Sequence, residues 1–425
     1  MNTFVTAKYW RILTCVIVSG LALCNSTSSL ALTLGEAIER TLAHNPELQL
    51  FTSQREALRA NAQGAGQSPP VHLKLGLDNI GKSNDTAGFG QAEASLSLSS
   101  VLERRGQRSG RVNIANARLD HLQLQQHARA LTVLTALTQR YVDTLATQQS
   151  LLLSGERVKQ IRAMKRSVNE RVKRGASPDT ELFRSQAQLA SAELAHAALK
   201  QQLQRDHLTL ALFWGDTQPD FAKLHGELFT LPIANDFSQA LARLQNSPLL
   251  AQYHSALRLE QAKLDLAKAR QRSPLEWELG IKHDQSADDT LLMAALSWQL
   301  GTGKRQQSSI AQNRAEQALA RQDRDRAKLQ LYQQLFNAYS LRETHLSSAK
   351  HLQDSIIPLR KKTLQLARQA YEQGRDSYQD WHIAQEELRQ ARQQLIDSAA
   401  AAHAQQAIID QLTGATFKYI EAAIP

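Results

Sequence analysis

Two short stretches constrain the fold of this chain more than any others. After Pro70, Val71, Leu73, Leu75 and Leu77 alternate with His72, Lys74, Gly76 and Asp78. Beyond a gap rich in Gly, Ser, Asn and Asp, Ala92, Ala94, Leu96 and Leu98 alternate with Glu93, Ser95, Ser97 and Ser99. Successive side chains of a strand point to opposite faces, so each arm has one apolar and one polar face. The pattern returns after Pro274, where Leu275, Trp277, Leu279 and Ile281 alternate with Glu276, Glu278, Gly280 and Lys282. Its return arm sets Leu292, Ala294, Leu296, Trp298 and Leu300 against Met293, Ala295, Ser297 and Gln299. Arms of about ten residues are long enough for a tilted strand to cross a hydrocarbon core of roughly 30 Å. The apolar faces then meet lipid and the polar faces line a water-filled lumen. Two hairpins capping a soluble helical protein are the alternative, and the repetition favours the membrane.

The rest of the chain reads as helix. LTLGEAIERTLAHNPEL opens with Thr33 as an N-cap and Glu36 as its capping-box partner. From Arg111 to Arg174 there is no proline and a single glycine, Gly155. At about 1.5 Å per residue such a helix extends roughly 90 Å, the length of a coiled-coil or helical-barrel rod. RGASPD then turns the chain, with Gly175 at C′, Ser177 as N-cap and Pro178 at N1. A return helix ends at Gly215. The second half repeats this order: helix, hairpin, a long helix interrupted at Pro358, the turn QGRDS, and a return helix ending at Gly414.

Gly175 and Gly374 are 199 residues apart, as are Gly215 and Gly414, while Pro70 and Pro274 are 204 apart. Gly155 falls on position 354 by the same offset, close to Pro358, which predicts a helix breaker at similar height in both arms. The order points to an internal duplication over 32–230 and 231–425. The fold class that follows is mainly α with a transmembrane β-barrel part. Its unit is a helix, a β-hairpin (71–101 and 275–300) and a long helical hairpin turning at 174–178 and 373–377.

Residues 1–31 read as a secretory signal: Lys8 and Arg11 precede the apolar run Ile12 to Leu23, and Ser29-Leu30-Ala31 has the form of a cleavage site. Both cysteines, Cys15 and Cys24, fall in it, so with cleavage after Ala31 disulfides and thiolate metal sites are not expected in the mature chain; a lipid anchor at Cys24 is the alternative, against which stands the bulky Leu23 before it. The net charge of +10 includes the leader's two cations. The basic residues are scattered among acids and glutamines, without the basic, aromatic-laced stripe of a nucleic-acid binder. A mean hydropathy of −0.41 excludes a polytopic helical membrane protein. No two of the thirteen histidines have HxxxH spacing, and no Walker loop, dinucleotide fingerprint or GxSxG occurs. No enzyme activity, metal centre or cofactor is expected.

Four strands cannot close a membrane barrel, because open edges are not tolerated in lipid and bacterial barrels have at least eight strands. Several chains must therefore share one barrel, and the helices flanking each hairpin can continue it as an oligomeric helical tube. A soluble periplasmic coiled-coil scaffold or adaptor is the alternative. These features together resemble the TolC-like outer membrane efflux family, or outer membrane factors. The resemblance rests on LTLGEAIERTLAHNPEL, the two hairpins about 200 residues apart, Gly303-Lys304-Arg305 with its counterpart Gly106-Gln107-Arg108, and the turns at Gly175 and Gly374. LFWGDTQPDFAKLHGEL looks most like the CzcC-like branch associated with heavy-metal cation efflux.

The resemblance implies a homotrimeric exit duct in the outer membrane, with a twelve-stranded barrel and a long periplasmic helical barrel. It implies docking to a periplasmic adaptor (membrane fusion protein) and an inner membrane resistance–nodulation–division (RND) pump; the CzcC-like branch points to heavy-metal cations as cargo, with organic compounds the alternative. The turns that meet the adaptor correspond to Arg174, Gly175, Ala176, Ser177 and Pro178, and to Gln373, Gly374, Arg375, Asp376 and Ser377. In related channels carboxylates just beyond the second turn form the constriction at the closed end; Asp380, six residues after Gly374, matches one such position, Glu181 lies six after Gly175, and a further acid of some relatives is Ile383 here. A charge favoured by the dipole at a helix start is the alternative. The membrane-facing set is Val71, Leu73, Leu75, Leu77, Trp277, Leu279, Ile281, Leu296 and Trp298.

Overall fold

The computed structural model describes residues 31–80, 92–233, 236–271, 273–300 and 303–415. The signal segment up to residue 30 and the tip of the first hairpin (81–91) lie outside them. In the first half, α1 (Leu34–His44) and α2 (Pro46–Ala65) lead to strands β1 (His72–Asp78) and β2 (Glu93–Leu102), followed by α3 (Gln107–Lys173) and α4 (Asp179–Ala211). In the second, α5 (Phe237–Gln245) and α6 (Pro248–Ala269) precede β3 (Leu275–Asp284) and β4 (Asp289–Trp298). Then come α7 (Gly303–His351), α8 (Ile357–Glu372) and α9 (Tyr378–Thr413). The duplicated order of helices, hairpin and helical hairpin is present in both halves.

Local chemistry sets the starts of these elements. Thr33 and Glu36 form the expected capping box on α1. Asn45 accepts from the amides of Glu47 and Leu48, and Pro46 occupies the first turn of α2, where its missing N–H costs nothing. The helix α3 is 67 residues long, about 100 Å at the usual rise.

Two breakers behave differently from expectation. Gly155 does not interrupt α3; a Cβ there would stand 3.5 Å from Cε1 of His196, so the glycine sits where α4 packs on the rod. Pro358 does not end the second arm either. A π-helical turn at Leu352–Ile356 joins α7 to α8 just before it. The wider turn absorbs the carbonyl that the proline ring would otherwise strike and whose hydrogen bond it cannot make.

The four rods lie side by side. Helices α3 and α9 pack on each other; α4 flanks α3, while α7 and α8 flank α9. Nearer the strands the order is α2, α3, α6, α7. The main apolar core lies midway, where Leu131, Leu134 and Leu137 of α3 meet Leu210, Trp214, Leu335, Ala399 and Leu412. The link after α4 is seated there: Leu32 bridges Leu224, and the Tyr141 hydroxyl donates to the carbonyls of Leu32 (2.8 Å) and His225 (2.6 Å).

Candidate channel wall and helical tip

The two hairpins form one antiparallel sheet in the order β1-β2-β3-β4. Its register decides the faces. Leu75 pairs with Leu96, Leu96 with Ile281, and Ile281 with Leu292; Leu73, Leu98, Leu279 and Ala294 form the next row. Paired residues share a face, so all four strands present most of their aliphatic side chains on the same side, with Val101, Leu291 and Met293 on the other. That face is bare: Leu75 is 76% exposed, Leu292 89% and Trp298 58%. Val71, Leu73, Leu77, Leu279, Ile281 and Leu296 are exposed as well, and Trp277 is half-buried.

The opposite face is polar. Ser97 donates to Glu278 (2.6 Å), Ser297 donates to Glu276 (3.2 Å), and Lys282 pairs with Glu93. Six carboxylates stand on it, from Asp78, Glu93, Glu276, Glu278, Asp284 and Asp289, against Lys74 and Lys282. Gly280 is required there: a Cβ would lie 2.7 Å from the Leu96 carbonyl oxygen. The glycine lets neighbouring backbone approach on the side where the sheet is crowded.

Neither outer strand has a further strand partner among the described residues, and the rods repeat this state. Along the α4 edge Phe183 and Leu194 are exposed; along the α7–α8 edge Leu329, Phe336, Leu359 and Leu366 are exposed. Strand and helix layers are thus open at both sides in the same order.

At the far end of the rods the two turns share a backbone. Gly175 and Gly374 adopt φ of 69° and 72°, in the left-handed region that favours glycine. The Ala176 amide donates to the Arg171 carbonyl (2.8 Å), and the Arg375 amide to that of Ala370 (2.9 Å), the six-to-one bond of a Schellman ending. Their side chains differ. Ser377 caps α9 and shares a capping box with Asp380, whose pKa its hydroxyl and amide lower. Ser177, expected as the equivalent cap, is not one: α4 begins after Pro178 without a side-chain cap, and the Ser177 hydroxyl accepts from Arg171 (3.2 Å).

Arg171 ties the two turns together. It donates to the carbonyls of Tyr371 (2.8 Å) and Ala176 (3.2 Å), and its guanidinium lies 4.8 Å from the centre of the Tyr371 ring. Tyr371 packs on Trp381 and edge-on to Tyr378, over Met164 and Val168. Glu181 turns into this cluster, with one carboxylate oxygen buried and without a hydrogen-bond partner among the described residues. Burial, Tyr371 and the nearby Glu181 push the Tyr378 hydroxyl up to about 12. The two carboxylates picked from sequence are therefore in different settings: Asp380 is exposed at a helix start, Glu181 faces its own subunit's tyrosines. Arg171, Tyr371 and Tyr378 were not singled out from the sequence. The signal for the tyrosines was the grouping of Tyr371, Tyr378 and Trp381 around the second turn; nothing local marked Arg171.

The outer membrane efflux protein family model matches residues 37–216 and 240–415, most of the chain and in two segments. The chain belongs to the outer membrane efflux protein family. It is the outer membrane channel component of a tripartite efflux system, a transport duct by family. It is 23% identical over 384 residues to the cobalt-zinc-cadmium resistance protein CzcC of Cupriavidus metallidurans, covering 90% of each chain. Among solved structures, CusC superposes with a TM-score of 0.76 at 17% identity, over 89% of this chain and 91% of that one. VceC of Vibrio cholerae gives 0.75 at 16% identity, over 90% and 96%. These likenesses show the fold, a mostly helical channel subunit with a small antiparallel sheet.

Proposed function

We propose that three copies of this chain close a continuous tube across the outer membrane and periplasm, and that it conducts heavy-metal cations released by an inner membrane RND pump. The supporting observation is the sheet: one face bare and aliphatic, the other polar and net acidic, both edges unpaired. An unpaired strand edge costs several kcal/mol per group in hydrocarbon, so β1 of one copy pairs with β4 of the next, giving twelve strands. The rods close in the same sense, α4 and α2 against the neighbour's α8 and α7. Transport through the tube is passive, and the pump supplies the free energy.

The cation cargo rests on two features. The relative CzcC is a cobalt-zinc-cadmium resistance protein. The polar sheet face carries six carboxylates against two lysines, a lining that concentrates cations. Asp380, exposed and held ionised by Ser377, is suited to an acidic ring on the axis at the closed end. Glu181 is suited to holding that end together from within each subunit. The adaptor meets the two turns, Arg174–Pro178 and Gln373–Ser377; the mature protein begins after residue 31 and spans two repeats, 32–230 and 231–425.

Reversal-potential measurements on purified protein in planar bilayers test the duct: the expected pore prefers cations over anions. A protein that partitions into the outer membrane yet forms an anion-selective pore would overturn the cargo. Release without detergent as a monomer would overturn the duct itself. Double reversal of Arg174 and Arg375 to Glu tests tip docking, with lost adaptor crosslinking expected; unchanged crosslinking and unchanged metal export would refute it.

A further inference from the structure

The sheet is polarised end to end. At the end away from the helices stand Asp78, Asp284, Asp288 and Asp289, with Lys282 already paired to Glu93. At the helix-proximal end the balance reverses. Arg104 and Arg105 follow β2 directly, Arg270 ends α6 just before β3, and Lys304 and Arg305 open α7 just after β4. All five are exposed, and none has an ion pair or side-chain hydrogen bond among the described residues. Of the acids at this end, Glu103 is committed to Arg111, and Glu276 stands on the polar sheet face, where it accepts from Ser297.

These cations lie at one level. A Cβ on Gly106 would touch Cβ of Ala269 at 3.4 Å, which puts the Arg104–Arg105 turn beside Arg270. Ile310 packs with Leu264 and Ala267, which brings the start of α7 to the end of α6. The same end carries both sheet tryptophans, Trp298 paired with Leu275 and Trp277 two residues further along β3. Tryptophans mark the boundary between hydrocarbon and headgroups in membrane barrels. Helix geometry makes the charges unusual: Lys304 and Arg305 occupy the first turn of α7, where the helix dipole disfavours cations and no acid balances them.

We propose that this basic collar binds the phosphate headgroups of anionic phospholipids in the leaflet that faces the helices. The proposal rests on the membrane reading of the sheet. The aliphatic face carries the acyl chains, the tryptophans take the glycerol level, and the five cations meet the headgroup layer below. A net negative leaflet attracts each such Lys or Arg, and a zwitterionic one does not. The collar therefore fixes how deep the barrel sits and which end faces the periplasm.

The test uses the full mature protein in detergent with added phosphatidylglycerol or phosphatidylcholine at equal mole fraction. Lipid retention is read by native mass spectrometry and melting by tryptophan fluorescence. The wild-type oligomer is expected to retain phosphatidylglycerol preferentially, to melt higher with it, and to lose that preference as salt rises. Changing Arg104, Arg105, Arg270, Lys304 and Arg305 to Gln should weaken phosphatidylglycerol retention by about fivefold per charge and leave phosphatidylcholine unaffected. If the five-fold variant does not assemble, Lys304→Gln with Arg305→Gln alone gives the same direction at smaller size, since both positions lie at an exposed helix start. Equal retention of the two lipids by wild type, or undiminished preference in the variants, overturns the collar. So does equal stabilisation by inorganic phosphate, which would make it an ion site. Failure of the membrane reading is distinct: the protein would then retain neither lipid.

Discussion

The two turns at the rod ends have the same main chain and different side-chain locks. Gly175 and Gly374 each allow the left-handed residue that a Schellman ending needs, and the amides after them reach back to equivalent carbonyls. Yet Ser377 caps its own helix through Asp380, whereas Ser177 accepts from Arg171 and caps nothing. The difference teaches that duplication preserves what the backbone requires and releases the rest. Once glycine has fixed the turn, the side chains around it are free to take separate tasks. Here one turn is stiffened locally and the other is tied across to its partner through Arg171. The hairpins repeat the lesson. Gly76 and Gly280 both stand on the polar face, but a Cβ at Gly76 would meet a rotatable Ser95 hydroxyl, and one at Gly280 would meet the Leu96 backbone.

Substitutions can break these pairs apart. The largest effect is expected at the sheet: Gly280→Ala forces the Leu96 carbonyl aside and should cost about 2–3 kcal/mol, seen as a lower melting temperature of the detergent-solubilised oligomer. Gly76→Ala should cost under about 1 kcal/mol in the same assay, because a hydroxyl can rotate away. Equal losses at the two positions would mean that the crowding belongs to the sheet as a whole.

At the tips, Arg171→Ala removes three hydrogen bonds and a ring contact, and should destabilise the rod ends by about 2 kcal/mol, read as faster amide exchange on both turns at once. Ser377→Ala should cost about 1 kcal/mol at the start of α9. Ser177→Ala should cost less than about 0.5 kcal/mol, since it caps no helix and its bond from Arg171 is long at 3.2 Å. Similar costs for the two serines would erase the distinction drawn between the turns. In the rods, Gly155→Ala should stabilise by about 0.5–1 kcal/mol, because the added methyl finds an ordinary contact at 3.5 Å from His196 and a helix interior favours alanine.

The smallest expected effect is a pH slope. Burial holds His382 below its ordinary value, with Glu386 opposing and Arg157 assisting. The unfolded chain then takes up the proton more readily than the folded one. Its contribution is complete above the ordinary histidine range and is lost as pH falls through it. His382→Gln should flatten melting temperature against pH in that interval and leave the alkaline side unchanged.

Much of the fold was legible in the residues. Period-two alternation located all four strands, and glycine with a 199-residue offset located both turns and the duplication. The capping box at Thr33 followed from residue types three apart. The breakers were not legible. A glycine in a long helix reads alike whether it interrupts the rod or admits a neighbour, and only the packing of α4 near His196 chose between these at Gly155. Pro358 reads as a stop because the sequence does not display the π-helical turn that accommodates it.

The candidate sites divide in the same way. Alternation determined which strand residues share a face, because a strand's side-chain period admits no other arrangement. The sequence alone also determined the two open turns, because each needs a glycine at a fixed place after its helix. Only the tertiary structure decided that both hairpins join in one sheet with their aliphatic faces on the same side, since register depends on contacts nearly 200 residues apart. It alone separated Asp380 from Glu181, two acids equally spaced from equivalent glycines. One is held by its own helix cap and the other is drawn toward tyrosines from the other half of the chain, a distinction local spacing cannot encode.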